Sequence, residues 1–225
     1  MELTTESDSE VPLHLYRQHG LEFVRHLEGM YAIALLDTRT DELIIARDPV
    51  GIKPLYIAET EKGIAVASEP GALTRTGWVA PTVNSRALPS LFNRNYVAGD
   101  ETLFEGVMRV HPGEVLRIRR GEVVERFRLP LDLRPASGID APKALQALDM
   151  LFSEKVRSHL QSDQVPYGTF LSGGVDSSSV LLCMADVKAK IRSYTIGFES
   201  ISTADERAMA EKLAHEVGAV HSTIE

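Results

Sequence analysis

The residues best equipped for chemistry lie together in Ser172-Gly173-Gly174-Val175-Asp176-Ser177-Ser178. Adjacent glycines let a backbone approach a ligand closely and adopt positive φ. Successive amides in such a turn form a concavity for an anion. The hydroxyls of Ser172, Ser177 and Ser178 are further donors. Asp176 does not favour a bare phosphate, but it can hold a magnesium ion that the phosphates also bind. The chemistry implied is capture of a phosphorylated ligand. The spacing is not that of G-x-x-x-x-G-K-[ST], and no Lys follows. It is not a G-x-S-x-G elbow either, because Leu171 precedes Ser172. A plain strand-to-helix turn capped by Ser and Asp does not require two glycines, an acid and three hydroxyls in so short a stretch.

Such a loop needs a strand before it and a helix after it, whose dipole adds to the anion site. Tyr167 to Leu171 is an apolar strand, and Ser177 to Ala189 is a helix apolar on nearly all sides, expected to be buried. Ser193 to Phe198 is a second strand, Ala204 to Val217 an amphipathic helix, and His221 to Ile224 the start of a third strand. Alternating strands and helices imply a parallel sheet with crossover helices. Residues 141–160 carry Ala144, Leu145, Leu148, Leu151, Phe152 and Val156 at helical spacing.

The first half is written differently. Ser7 and Glu10 have capping-box spacing before a helix that Gly20 interrupts and Gly29 ends. Four β-type runs follow, Met30 to Leu36, Leu43 to Ala46, Leu55 to Ala58 and Ile64 to Ala67, with short turns that imply an antiparallel sheet. Leu88 to Phe92 is a short helix. Val115 to Ile118 and Val123 to Phe127 bracket Arg119-Arg120-Gly121-Glu122 as another hairpin. Pro130, Pro135 and Pro142, with Ser137 and Gly138, mark residues 129–142 as a linker. The division expected is residues 1–137 and 138–225, α+β and then α/β.

With 225 residues, 44% hydrophobic and 25% charged, the chain has the make-up of one large or two small globular domains. A net charge of −8 argues against non-specific binding to nucleic acid. The single cysteine, Cys183, excludes a disulfide framework and a cysteine-rich zinc site. No apolar run is long enough to cross a bilayer, and Met1 to Glu6 lacks the basic and apolar blocks of a signal peptide. A cytoplasmic protein without a membrane partner is expected.

Tyr167-Gly168-Thr169-Phe170-Leu171 followed by the loop resembles the pyrophosphate loop of N-type ATP pyrophosphatases. Val165-Pro166-Tyr167-Gly168 narrows the resemblance to glutamine-hydrolysing asparagine synthetases. Independently, Glu28-Gly29-Met30-Tyr31-Ala32-Ile33-Ala34, Arg47-Asp48-Pro49-Val50-Gly51-Ile52-Lys53-Pro54-Leu55-Tyr56 and Ala67-Ser68-Glu69 resemble the type II glutaminase domain of that family. The resemblance implies an Ntn-type αββα sandwich, seen in part, followed by the start of a parallel-sheet ATP pyrophosphatase domain of the adenine nucleotide α-hydrolase-like kind. It also implies glutamine, aspartate and ATP as substrates, Mg²⁺ as cofactor, and compatibility with a homodimer. By resemblance, Ser172, Gly173, Gly174, Val175, Asp176, Ser177 and Ser178 hold pyrophosphate, with Leu171 and Ile196 against the nucleoside. Asp176 is the magnesium candidate, and Asp8 pairs with the amino group of glutamine.

The chain also departs from that pattern. A type II glutaminase uses an N-terminal Cys whose own amine helps activate it, whereas Glu2 stands after Met1 here. The family's R-G-P-D and N-G-E segments, the latter supplying oxyanion donors, are absent, as is its later S-G-E-G-S-D-E segment. The chain is therefore expected to be an incomplete, inactive fragment of such an enzyme with no catalytic glutaminase residue. A related amidotransferase acting on another carboxylate, such as a β-lactam synthetase or a polymer-modifying enzyme, and a non-catalytic remnant that binds a partner are the alternatives.

Other residues favour plainer roles. The seven histidines form no compact ligand set, and His159 and His215 suit helix C-termini. Arg47 and Asp48 read as an ion pair bracing the turn at Pro49–Gly51. Arg117 to Arg120 reads as hairpin alternation. Cys183 reads as a core thiol, and Trp78 as a cover for the core or an interface residue.

Overall fold

Leu43, Ile44, Ile45 and Ala46 follow one another without a polar break, as in a strand covered on both faces, and the fold supplies both covers. The structure, a computed structural model, describes residues 3–131, 138–160, 167–187, 190–197 and 205–224. Pro135, Ser137, Val165-Pro166, Lys188-Ala189, Phe198, Ala204 and Glu2, which figure in the sequence reading, lie outside them. The chain divides into two compact units, Met1–Leu133 and Arg134–Glu225.

The first unit opens with α1 (Glu10–His19) and a 3-10 segment (Gly20–His26), the break falling at Gly20. The capping box does not form. Ser9 occupies the N-cap position without a side-chain bond, and the Glu10 carboxylate instead takes the amides and hydroxyls of Thr4 and Thr5 at 2.7–3.0 Å. Strands β1 (Ala32–Asp37), β2 (Glu42–Arg47), β3 (Tyr56–Thr60) and β4 (Gly63–Ala67) follow. Then come α2 (Pro70–Arg75), α3 (Leu88–Arg94), β5 (Met108–Arg109), β6 (Glu114–Arg119) and β7 (Glu122–Arg128). They form two antiparallel sheets, ordered β1-β2-β6-β7 and β4-β3-β5.

Side-chain alternation along the central strands fills two cores. Ile44, Ala46 and Val115 pack under Phe23 and Val24 of the helical segment. Ile45, Leu116 and Ile118 point the other way, into Leu55, Ile57 and Val110 between the sheets. On the far side of the second sheet, Ala58 and Val107 pack against Leu73 of α2. The layers therefore run helix, sheet, sheet, helix.

The second unit contains α4 (Ala141–His159), β8 (Gly168–Phe170), α5 (Val175–Val187), β9 (Arg192–Ile196), α6 (Arg207–Glu216) and β10 (Val220–Ile224). Asp140 caps α4 by accepting from the Lys143 amide at 2.9 Å, with Pro142 in the first turn. The three strands are parallel, in the order β10-β9-β8. Leu171, Leu181, Met184, Ile191, Ala210 and Ala214 form the core. Helix α5 differs from expectation. It begins at Val175, so Asp176 lies inside its first turn, and only Leu181 and Met184 of it are buried, Cys183 being half-buried. Its apolar surface exceeds what one side of a three-stranded sheet covers. On the opposite face of that sheet, Phe170 is 73% and Ile196 57% exposed among the described residues.

Candidate functional site

The loop in the second unit leaves β8 through Leu171, which is 2% exposed. The Leu171 amide donates to Tyr194 O at 2.8 Å, and its carbonyl accepts from the Thr195 hydroxyl at 2.6 Å. Leu171, the first of the two residues read as nucleoside contacts, thus anchors the loop in the core. Ile196, the other residue read as a nucleoside contact, stands exposed at the end of the neighbouring strand.

Within the loop, the Ser177 hydroxyl accepts from the Ser172 amide at 3.1 Å and lies 2.9 Å from the Ser172 hydroxyl. Ser172 Oγ accepts from the Gly174 amide at 3.2 Å. The Ser178 hydroxyl donates to Gly174 O at 2.7 Å. The three hydroxyls expected to reach for a phosphate are here employed in fixing the loop's shape. The first amides of a helix lack intrahelical acceptors, so those of Val175, Asp176 and Ser177 are the donors the fold offers an anion. Val175 and Asp176 are exposed at the helix start.

The glycines work differently from the sequence expectation. Neither Gly173 nor Gly174 has positive φ. A Cβ on Gly173 would sit 3.1 Å from Met209 Cγ and 3.2 Å from Met209 Cβ, and one on Gly197 would sit 2.5 Å from Arg207 Cδ. At both glycines the first turn of α6 comes close to the carboxyl end of the sheet, so that an added Cβ would have to displace the side chain of Met209 or Arg207. Sequence reasoning assigned no role to Met209 at this site or to Arg207, and sequence spacing carries no signal for that packing. Arg207 is held against Asp205 by bonds of 2.6–2.9 Å, which keep the Asp205 carboxyl below its usual range. Among the described residues no group of three or more His, Cys, Asp and Glu side chains is arranged to hold a metal.

Asp8 belongs to the first unit. It sits in the turn that starts α1, where its carbonyl accepts from the Val11 amide at 3.1 Å. Its side chain borders a cleft of about 780 Å³ that Tyr31, Lys53 and Ser68 also line. Sequence reasoning quoted the last three within motifs but gave them no role.

Beside the cleft, the Arg47–Pro54 turn is fixed from within. Arg47 and Asp48 do not pair with each other, which corrects the ion-pair reading. Arg47 donates to Lys53 O at 2.7 Å, Gly51 O at 2.7 Å and Val110 O at 2.5 Å. Asp48, 1% exposed, accepts from the amides of Ile52 at 2.9 Å and Lys53 at 3.0 Å. Burial opposes ionisation of Asp48 more than any other single influence, but the amides of Lys53, Ile52, Gly51 and Val50 together outweigh it and hold the carboxyl below its usual value.

Residues 1–127 match the family described as glutamine amidotransferase domain, and residues 147–225 match the one described as asparagine synthase. A putative glutamine-hydrolysing asparagine synthetase of Mycobacterium tuberculosis is 34% identical over 224 residues, covering 96% of this chain and 34% of that protein. Asparagine synthetase B of Escherichia coli is 32% identical, covering 98% of this chain and 37% of that one. Amidase chry2 of Gibberella zeae is 32% identical, covering 94% and 34%. The chain spans about a third of the length of these curated relatives.

Proposed function

The chain belongs to the glutamine amidotransferase domain family and continues into an asparagine synthase segment, and from that premise we propose that it serves glutamine-dependent asparagine synthesis. In this reading the parent enzyme hydrolyses glutamine in the Ntn-type glutaminase domain to which residues 1–137 belong and uses ATP in the pyrophosphatase-type domain to which residues 138–225 belong. The 225-residue chain, with Glu2 after Met1 in place of a nucleophilic Cys, is by itself inactive as a glutaminase. The β-carboxylate of aspartate attacks the α-phosphorus of ATP, giving β-aspartyl-AMP and pyrophosphate. Ammonia from glutamine then displaces AMP and loses a proton, leaving asparagine. The assignment extends to a cytoplasmic, homodimeric enzyme.

The observation that carries the reading is the loop Ser172–Ser178, anchored in the core at Leu171 and opening onto the first turn of α5 beside exposed Ile196. The amides of that turn face the pyrophosphate, and Ile196 packs against the nucleoside. Leu171 contributes by fixing the loop. Asp8, on the rim of the first unit's cleft, pairs with the ammonium of glutamine.

Magnesium fits the donor present. It keeps most of its waters and is held by one or two carboxylates together with phosphate oxygens, and Asp176 is an exposed carboxylate in the first turn of α5. When bound there, the ion would neutralise phosphate charge. Asp176→Ala is therefore expected to weaken binding of ATP with Mg²⁺ by about tenfold or more, equivalent to about 1.4 kcal/mol, read by isothermal titration calorimetry. Unchanged affinity would remove the loop assignment. The alternative reading is a related amidotransferase acting on a carboxylate other than aspartate. Exchange of labelled pyrophosphate into ATP that depends on aspartate supports the first reading, and exchange that fails with aspartate but appears with another carboxylate supports the second.

A further inference from the structure

Strand β9 carries hydroxyl residues at both of its core-facing positions. Ser193 is fully buried and Thr195 is 5% exposed. Strands of parallel sheets are ordinarily Val- and Ile-rich there, and a buried hydroxyl is costly unless it is hydrogen-bonded. Ser193 lies 2.9 Å from His221 Nδ1 on β10, a bond within the sheet. Thr195 does something else. Its hydroxyl reaches across to β8 and donates to Leu171 O at 2.6 Å, at the point where the chain leaves the sheet to become the loop.

The regular ladder pairs Phe170 with Tyr194. One step further, the Leu171 amide still bonds to Tyr194 O, and a side chain, not a backbone amide, takes the Leu171 carbonyl. The next residue after Leu171 is Ser172, and the next after Thr195 is Ile196. A single hydroxyl thus sets the spacing between the loop and the strand end read as the nucleoside contact. We propose that Thr195 is a positioning residue, holding the loop and Ile196 at the separation that lets one nucleotide engage both. The proposal rests on the nucleotide reading of the loop.

That role has a signature that general destabilisation lacks. A ligand touching only the loop should not depend on the spacing, whereas one touching both the loop and Ile196 should. The test titrates the 225-residue chain, in magnesium, with inorganic pyrophosphate and separately with ATP. The variants are Thr195→Val, which keeps the shape and removes the hydroxyl, and Thr195→Ser, which keeps the hydroxyl. The expected result is that Thr195→Val loses about tenfold in ATP affinity, the scale of one hydrogen bond, with pyrophosphate affinity within about twofold of the original. Thr195→Ser should restore ATP binding. Equal loss of both ligands, or no loss of either, would overturn the positioning role. If the unaltered chain binds neither ligand, the nucleotide reading itself fails and takes this proposal with it. If Thr195→Val does not fold, the Thr195→Ser variant decides the matter through the same ratio, which must then stay at the original value.

Discussion

The Tyr31 hydroxyl is shut away from solvent without a hydrogen-bond partner among the described residues. Burial, and then the nearby charge of Asp48, pushes its ionisation up. An orphaned buried hydroxyl costs about 1–3 kcal/mol, and Phe has the same shape without it. Tyr31→Phe is expected to leave stability unchanged or raise it by about 1 kcal/mol, measured by urea denaturation. A loss of that size would mean that the hydroxyl has a partner in solution. At this scale the sequence was informative about residue type and less so about reason. Gly173 was legible as a place where the backbone lies close to something, but it has no positive φ, and the nearest neighbour of an added Cβ is Met209, brought from a helix more than thirty residues away in sequence. Glu10 was legible as a capping residue, yet it folds back onto Thr4 and Thr5, because several donors upstream outcompete the single amide a capping box would supply.

Turns decide the elements. Arg120 and Gly121 both have positive φ, 53° and 79°, which suits a two-residue hairpin turn, and the β6–β7 hairpin was readable from Arg119-Arg120-Gly121-Glu122. Helix α2 and strand β5 were not. The first is six residues among prolines and glycines, and the second is two residues that pair with β3 only because the intervening chain returns to it. The Arg47–Pro54 turn is the clearest case of an element held by side chains acting on backbone. Asp48→Asn would replace a charged acceptor of several amides with a group that presents a donor to one of them. Bonds to a charged group contribute about 1.5–3 kcal/mol, so a loss of at least about 2 kcal/mol is expected in chemical denaturation. A loss below about 0.5 kcal/mol would show that the turn is held by Arg47 without help.

Across the whole molecule, the order of an antiparallel half and a parallel half was legible from the changing periodicity, whereas the sheet order β1-β2-β6-β7 was not. It depends on β3 to β5 leaving to build a second sheet, a long-range choice with no local mark. Carboxyls with depressed ionisation are unevenly shared. Glu10, Asp37 and Asp48 lie in the first unit, and Asp205 is the one such carboxyl among the described residues of the second. The amide and hydroxyl donors of Thr4 and Thr5 hold Glu10 down, and Arg39 brings Asp37 to about 2. A carboxyl that ionises more readily folded than unfolded stabilises above its unfolded pKa, near 4, and that stabilisation is lost as pH falls through the folded value. Stability should therefore be level above about pH 5 and decline from about pH 4 toward 2. Trp78, the single tryptophan, lies in the first unit, so its fluorescence should report that decline. Fluorescence unchanged down to about pH 2 would refute it.

The central claim is that the Ser172–Ser178 loop binds the pyrophosphate of a nucleotide. Amide NMR of the 225-residue chain, titrated with pyrophosphate and Mg²⁺, tests it most directly. Saturable shifts of the Gly173, Gly174, Asp176 and Ser177 amides, with Gly51 and Gly113 of the first unit unmoved, are the expected result. No saturable change in the loop, or changes confined to the first unit, would contradict the account.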